Sequence, residues 1–373
     1  MKDGVIRVAQ IIGFAAEGGV ESMIMNLYLN LDRKKVQFDF FVECTSKIIR
    51  ENKIKELGGN VVIIPPIKKL IFNDSKLVRL LKEGNYDIVH ANKSTLNYFY
   101  LRAAKKAGIK IRISHAHSTT SKRELLKNCV KFGLKFLSKK YATHLFACSK
   151  KAGVWQYGKK AFLKGDVHVV NNAIDIEKYR FNPLVSSEMR EELCIGNKYV
   201  VGHIGRFMKQ KNHRYIIEVF KRVHDLDENT LLLLVGDGPL LDDIRKLVTK
   251  NRLDNSVIFA GTHKHPERYY QAMDCLLMPS LYEGLPVVGI EAQTNGLNCF
   301  FSTAITKEVV VNDNCFFKSL KDGPEKWALD ILSKKENKND DRALKYVNLL
   351  NSKYNIKYEA KALTNIYCRL IEE

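Results

Sequence analysis

Two glutamates, Glu283 and Glu291, flank what reads as the start of a helix. The apolar run Cys275 to Met278 ends at Pro279, a loop continues through Gly284, and Pro286 stands where a helix takes its first residue. Such a start leaves the amides around Gly284, Leu285 and Val287 unpaired, with the positive end of the helix dipole behind them. An anion, typically a phosphate, fits there. The two carboxylates are eight positions apart, too far to stack as an i,i+4 pair, so they read as gripping two parts of one ligand. A solvated acid and a helix-surface acid are the plain alternative, which only the flanking residues argue against.

A second constellation lies upstream. The strand expected at Tyr199 to Ile204 is followed by Gly205, Arg206, Lys209, Lys211 and Asn212, and then by a helix from about His213 to Val223. A forked guanidinium and a mobile ammonium can hold two phosphate groups and neutralise charge building on a departing diphosphate. Taken alone, Lys-Gln-Lys is an ordinary basic surface loop. Near the start of the chain, Val5 to Ile12 reads as a buried strand, Gly13 to Gly19 as a loop and Val20 to Leu31 as a helix, with Met23, Ile24, Leu27 and Leu31 inward. Gly18 and Gly19 let the backbone approach a ligand closely. The strand Ile111 to Ser114 delivers His115 and His117 at its carboxyl end, where ligands of parallel sheets gather. No carboxylate or cysteine follows at a useful spacing, so no metal is expected there.

The residues Pro279 to Pro286, with Glu291-Ala292-Gln293 after four intervening residues, resemble the E-x7-E signature of retaining glycosyltransferases of family 4, which have the GT-B fold. The resemblance extends over most of the chain. Gly18, Gly19, Val20 and Glu21 match a Gly-Gly-x-Glu segment that in this family lies beside the donor diphosphate and the acceptor. Arg206 and Lys211 match its diphosphate clamp, His117 a histidine facing the donor sugar, and Thr262 the neighbourhood of the nucleotide base. His115 is then a packing or acceptor-side residue, and His90 has a weaker claim of the same kind. Asn171 to Asp175 is similar to the segment that closes the family's first domain, with Ala173 in place of the usual glycine.

Composition sets the frame for these sites. The 373 residues suffice for two domains, and 45% hydrophobic content marks a globular chain. The longest apolar stretches, such as Leu231 to Val235, are too short to cross a bilayer. The first residues lack the pattern of a signal peptide, so a cytosolic protein is expected. Eight cysteines are scattered with no Cys-x-x-Cys, and reduced thiols are expected. The net charge of +20 is lopsided: residues 1–185 hold 34 Lys+Arg against 15 Asp+Glu, and the remainder 27 against 26. A basic half suggests a nucleic acid, an anionic membrane or an anionic substrate. Ser121 to Tyr141 concentrates this charge, with Lys127, Lys131, Lys135 and Lys139 opposite an apolar side that includes Phe136 and Leu137. It reads as an amphipathic cationic helix that either packs on the sheet or also touches anionic headgroups.

Further short strands are expected at Phe38 to Val42, Val61 to Ile64, Asp87 to His90, Thr143 to Ser149 and Val167 to Asn171, and then at Thr230 to Val235, Val257 to Ala260 and Cys299 to Ser302. Alternation with helices predicts an α/β protein with parallel sheets covered on both faces. Pro183 to Ser187 reads as a polar linker, placing a boundary near residue 185. This gives a first Rossmann-like domain over 1–185 and a second over 186–353. A terminal helix near 354–373 crosses back to the first domain, as in GT-B proteins, whose two domains face a cleft. Gly236-Asp237-Gly238-Pro239 lacks the full dinucleotide pattern, which argues against a nicotinamide or flavin enzyme.

The resemblance implies transfer of a sugar, with retained configuration, from a nucleoside diphosphate, uridine by family, to a hydroxyl acceptor. Arg206, Lys211 and the amides from Gly284 to Val287 would stabilise the leaving diphosphate. Glu283 would orient sugar hydroxyls and Glu291 the ribose, and no metal or other cofactor would be needed. With no second carboxylate as nucleophile, front-face attack with the diphosphate taking the proton is expected. A lipid-diphosphate-linked acceptor at the inner membrane face, in capsule or exopolysaccharide synthesis, is the expected partner. The alternatives are a nucleotide-sugar 2-epimerase of the same fold and a basic nucleic-acid-binding protein. The latter leaves the phosphate chemistry of the neutral second half unexplained.

Overall fold

A computed structural model describes residues 4–14, 19–46, 51–117, 133–335 and 341–373. The chain forms two compact units, Met1–Ala173 with Ile356–Glu373, and Ile174–Asn355.

The first unit holds seven parallel strands: β1 (Ile6–Gly13), β2 (Val36–Glu43), β3 (Val61–Ile64), β4 (Ile88–Ala91), β5 (Ile111–Ala116), β6 (His144–Ala147) and β7 (Val167–Val169). Their order in the sheet is β3-β2-β1-β4-β5-β6-β7. Successive residues of a strand point to opposite faces, and both faces are covered here. Val8, Phe40 and Ile88 join one core with Met23, Ile24 and Leu27 of helix Gly19–Asn30. Their neighbours Ala9, Phe41 and Val89 join another with Leu70, Leu77 and Leu101. The terminal helix Ile356–Glu372 adds Ala360, Leu363, Tyr367 and Leu370 to the first core, one apolar stripe at helical spacing.

The second unit holds β8 (Tyr199–Ile204), β9 (Thr230–Val235), β10 (Val257–Gly261), β11 (Cys275–Met278), β12 (Asn298–Ser302) and β13 (Cys315–Lys318), in the order β10-β9-β8-β11-β12-β13. Alternation again splits the strands: Val200, Leu231, Leu233 and Leu276 face one core, and Val201, Leu232, Leu234 and Leu277 the other. Each sheet reverses its winding once, at β1/β4 and at β8/β11, and ligands of such sheets bind beyond the strand ends at these reversals.

Several expectations need correction. The chain divides between Ala173 and Ile174, not near residue 185. Pro183 to Ser187 is no linker but the start of helix Pro183–Glu192, whose Asn182 side chain accepts from the amides of Leu184 and Val185. β13 and helix Gly323–Lys335, with Trp327 fully buried, stand where the sequence pattern fades. Gly18 and the part of the cationic stretch from Ser121 to residue 132 lie outside the described residues. In the described remainder of that stretch, Phe136 and Leu137 are exposed rather than packed, and Lys139 donates to the Tyr157 carbonyl.

Candidate active site

In the second unit, β8 and β11 end side by side and release the loops that carry Arg206, Lys211 and Glu283. The first loop is clamped to the one after β9. Gly205 N donates to Val235 O at 2.9 Å, Phe207 N to Asp237 O at 2.9 Å and Leu240 N to Phe207 O at 3.1 Å. Only glycines allow this approach: Gly236 and Gly238 have φ of +139° and +155°, and a Cβ there would stand 2.3 Å from Gly205 O and 2.6 Å from Phe207 O. The same loop is then tied to the one after β11. Leu281 N donates to Gln210 O at 2.8 Å, and Asn212 Nδ2 to Pro279 O at 3.1 Å.

These ties bring Lys211 and Glu283 together, with Nζ donating to Oε1 at 2.7 Å. Gln210 Nε2 donates to the other oxygen of Glu283 at 3.0 Å and to Tyr282 O at 3.0 Å. Gln210 was not singled out by the sequence, because Lys-Gln-Lys carries no signal of it. Arg206 is exposed and forms no ion pair with another described residue, and Lys209 is exposed as well. The cationic loop thus presents one ammonium fixed against a carboxylate and one guanidinium open to solvent.

The helix after Glu283 is Val287–Thr294, with Pro286 as its N-cap rather than its first residue and no side-chain cap. Its first-turn amides, like those of any helix start, need partners from outside the helix, and an anion can supply them. Gly284 is exposed, and Leu285 and Val287 are half-buried. Glu291 is more than a turn in, and its carboxylate accepts the Tyr270 hydroxyl at 2.5 Å, with Tyr179 bonded to it too. Burial raises its pKa, against the pull of the two hydroxyls and the Lys178 charge. Glu283 therefore meets a cation and Glu291 meets hydroxyls. Thr262 is exposed just after the edge strand β10, and its neighbour Gly261 accepts from Gly236 N at 2.8 Å. No hydrogen bond among the described residues joins it to Lys211 or Glu283.

In the first unit, Gly19 is the first residue of helix Gly19–Asn30. His117 follows β5, its backbone N–H donating to Ser94 Oγ at 3.0 Å and its Nε2 lying 3.0 Å from Asn92 Oδ1. Its ring stacks on that of His115, with centroids 3.9 Å apart. His115 is 1% exposed and its Nδ1 is 2.9 Å from His90 Nε2, while His90 Nδ1 is 2.7 Å from the Tyr367 hydroxyl. Burial, then the charge of Lys93, lowers the His117 pKa to about 3. Burial first, then a neighbouring histidine, lowers His90 to about 3 and His115 well below the usual value. All three are neutral imidazoles at pH 7. Lys93, two residues past β4, donates to the carbonyl of Phe14, the residue after β1, at 2.9 Å. Asn92, Lys93 and Tyr367 carry no recognisable motif in the sequence.

Comparison with known proteins shows the family and the fold. Residues 17–178 match the model of Glycosyltransferase Family 4 and residues 185–348 that of Glycosyl transferases group 1. EpsF of Bacillus subtilis (strain 168) is 32% identical, over 81% of this chain and 80% of the relative. The UDP-Gal:alpha-D-GlcNAc-diphosphoundecaprenol alpha-1,3-galactosyltransferase of Escherichia coli is 28% identical, over 74% and 70%. Among solved structures, Anabaena HepE in complex with UDP has a TM-score of 0.79 at 18% identity, covering 98% of this chain and 100% of that one. The chain belongs to glycosyltransferase family 4 and has the GT-B fold of two Rossmann-like domains.

Proposed function

We propose that this protein is a retaining glycosyltransferase that moves a hexosyl or N-acetylhexosaminyl group from a UDP-sugar to a hydroxyl of a lipid-diphosphate-linked glycan during surface polysaccharide assembly. The observation that carries the reading is the Lys211 ammonium held 2.7 Å from Glu283 at the β8/β11 reversal, beside Arg206 and an uncapped helix start. Lys211, Arg206 and the amides near Gly284 and Val287 neutralise the leaving diphosphate, the role that a divalent metal plays elsewhere. Glu283 accepts hydroxyls of the donor sugar and Glu291 those of the ribose, since carboxylates are strong acceptors. The acceptor hydroxyl attacks from the face the diphosphate leaves, and a diphosphate oxygen takes its proton. His117 defines the acceptor side of the donor sugar, and Gly19 lies beside the donor diphosphate and the acceptor.

The E. coli relative supports this choice of substrates, because its name specifies UDP-Gal and a diphosphoundecaprenol-linked acceptor. Among the described residues no helix is long and apolar enough to cross a membrane. Access to a lipid-linked acceptor is then peripheral, from the cytoplasmic side, and the basic first half supplies the attraction to anionic headgroups. The test is incubation with a panel of UDP-sugars and a diphosphoundecaprenol-linked sugar, in excess chelator. A glycosylated lipid product supports the reading. Conversion of the nucleotide sugar without acceptor returns the 2-epimerase alternative, and a strict magnesium requirement overturns the metal-free part.

A further inference from the structure

The hydrogen bonds around His117 fix which of its nitrogens carries the proton. Asn92 Nδ2 lies 3.1 Å from the backbone carbonyl of His90, which can only accept, so the Asn92 nitrogen must point there. Asn92 Oδ1 therefore faces His117 Nε2 at 3.0 Å, and His117 must donate through Nε2. Its Nδ1 keeps a lone pair. The same amide nitrogen donates to Gln10 Oε1 at 3.0 Å, which turns Gln10 Nε2 toward the Tyr367 hydroxyl at 3.2 Å. The phenol accepts that bond, so its own hydrogen goes to His90 Nδ1. His90 then carries its proton on Nε2 and donates to His115 Nδ1. The chain ends at His115 Nε2–H, buried and without a partner among the described residues.

We propose that Gln10, Asn92, His90 and Tyr367 are positioning residues of a buried relay that holds His117 as the Nε2–H tautomer, so that its Nδ1 accepts a hydrogen bond from a substrate hydroxyl. Asn92 sets the proton, and the His115 ring, oriented through Tyr367 and His90, sets the plane on which His117 stacks. Tyr367 comes from the terminal helix, which is anchored by the Leu363 and Leu370 side chains and by Glu359 accepting from Asn171 N at 2.8 Å. The far end of the chain thereby supports a site built by its beginning. The tautomer follows from the structure alone, and only the substrate contact rests on the transferase reading.

The experiment is nitrogen NMR on the full chain with selectively labelled histidine, without substrate. His117, identified by loss of its signal in His117→Gln, is expected to show a bare Nδ1 and a protonated Nε2. A proton on Nδ1 overturns the proposal. Tyr367→Phe keeps the ring that packs on Phe38 and removes only the hydroxyl. It should alter the His90 and His115 signals and lower kcat about tenfold, the worth of one to two hydrogen bonds, with donor KM within about twofold. The assay uses UDP-galactose and N-acetylglucosaminyl-diphosphoundecaprenol. Unchanged imidazole signals in Tyr367→Phe overturn its role, as does unchanged kcat. Asn92→Asp should keep the Nε2–H signal of His117 and Asn92→Leu should lose it, whereas equal behaviour of the two counts against the relay. If the wild type transfers no sugar, the reading of the reaction fails while the imidazole result stands.

Discussion

Lys211 Nζ and Glu283 Oε1 meet at 2.7 Å with side chains only 15% and 8% exposed, although 72 residues separate them in sequence. The pair ties together the loops after β8 and β11 and fixes a cation at that strand-end reversal.

Breaking this pair should cost both stability and activity, in separable amounts. A buried ion pair deprived of one partner leaves an uncompensated charge, about 3–5 kcal/mol when fully desolvated, and less here because some water reaches Lys211. Glu283→Ala is expected to lower stability by about 1–3 kcal/mol, measured by urea unfolding, and transfer by about 10²-fold or more. Lys211→Ala should cost at least as much activity. Equal transfer rates in wild type and both variants would remove the pair from the mechanism.

Arg206 predicts the opposite balance. It is exposed and in no ion pair with a described residue, so Arg206→Ala should change stability by no more than about 0.5 kcal/mol. In the proposed mechanism the guanidinium acts on charge that develops only in the reaction, so transfer should still fall by about 10²-fold. Unfolding midpoints and kcat on the same preparation check both halves, and a parallel loss would make Arg206 structural.

Gly238 tests the clamp behind the cationic loop. With φ at +155° and Phe207 O 2.6 Å from an added Cβ, Gly238→Ala must push the Phe207 backbone away. The strain is worth about 1–3 kcal/mol, and because Phe207 follows Arg206 the donor KM should rise as well. An unchanged donor KM would show that the clamp does not govern the loop.

Acid should weaken the fold through its neutral histidines. His90 and His117 are held down to about 3 by burial, and His213 to about 4, from an ordinary 6.5. Below 6.5 the unfolded chain binds protons that the folded chain refuses, so stability is full above that pH and falls as pH drops toward 3. The slope is up to about 1.4 kcal/mol per histidine per pH unit. The urea midpoint should fall clearly between pH 7.5 and pH 5, and a flat midpoint would contradict the buried neutral cluster.

Much of this was legible in the sequence where an apolar run is bounded by turn residues. Val61–Ile64, Tyr199–Ile204, Thr230–Val235 and Cys275–Met278 are strands at the expected limits. Their carboxyl ends carry the motifs, so the site in the second unit could be read. The strand at Cys315–Lys318 was not, since it is short, only half-buried and preceded by Asn312-Asp313-Asn314. Pro183 to Ser187 reads as a polar linker, yet an asparagine before a proline is also a helix cap with its first residue, and burial of Met189 favours the helix. The Tyr367 to His90 bond spans 277 residues and leaves no local pattern at either end.

The most direct test is calorimetric titration of the wild-type chain and of Lys211→Ala with UDP in excess chelator, followed by transfer from a UDP-sugar to a diphosphoundecaprenol-linked sugar. The account predicts UDP binding to the wild type without metal, binding at least about tenfold weaker in Lys211→Ala, and transfer that falls with it. UDP binding of equal strength in the two proteins, or none in the wild type, would contradict the placement of the diphosphate between the cationic loop and the helix start.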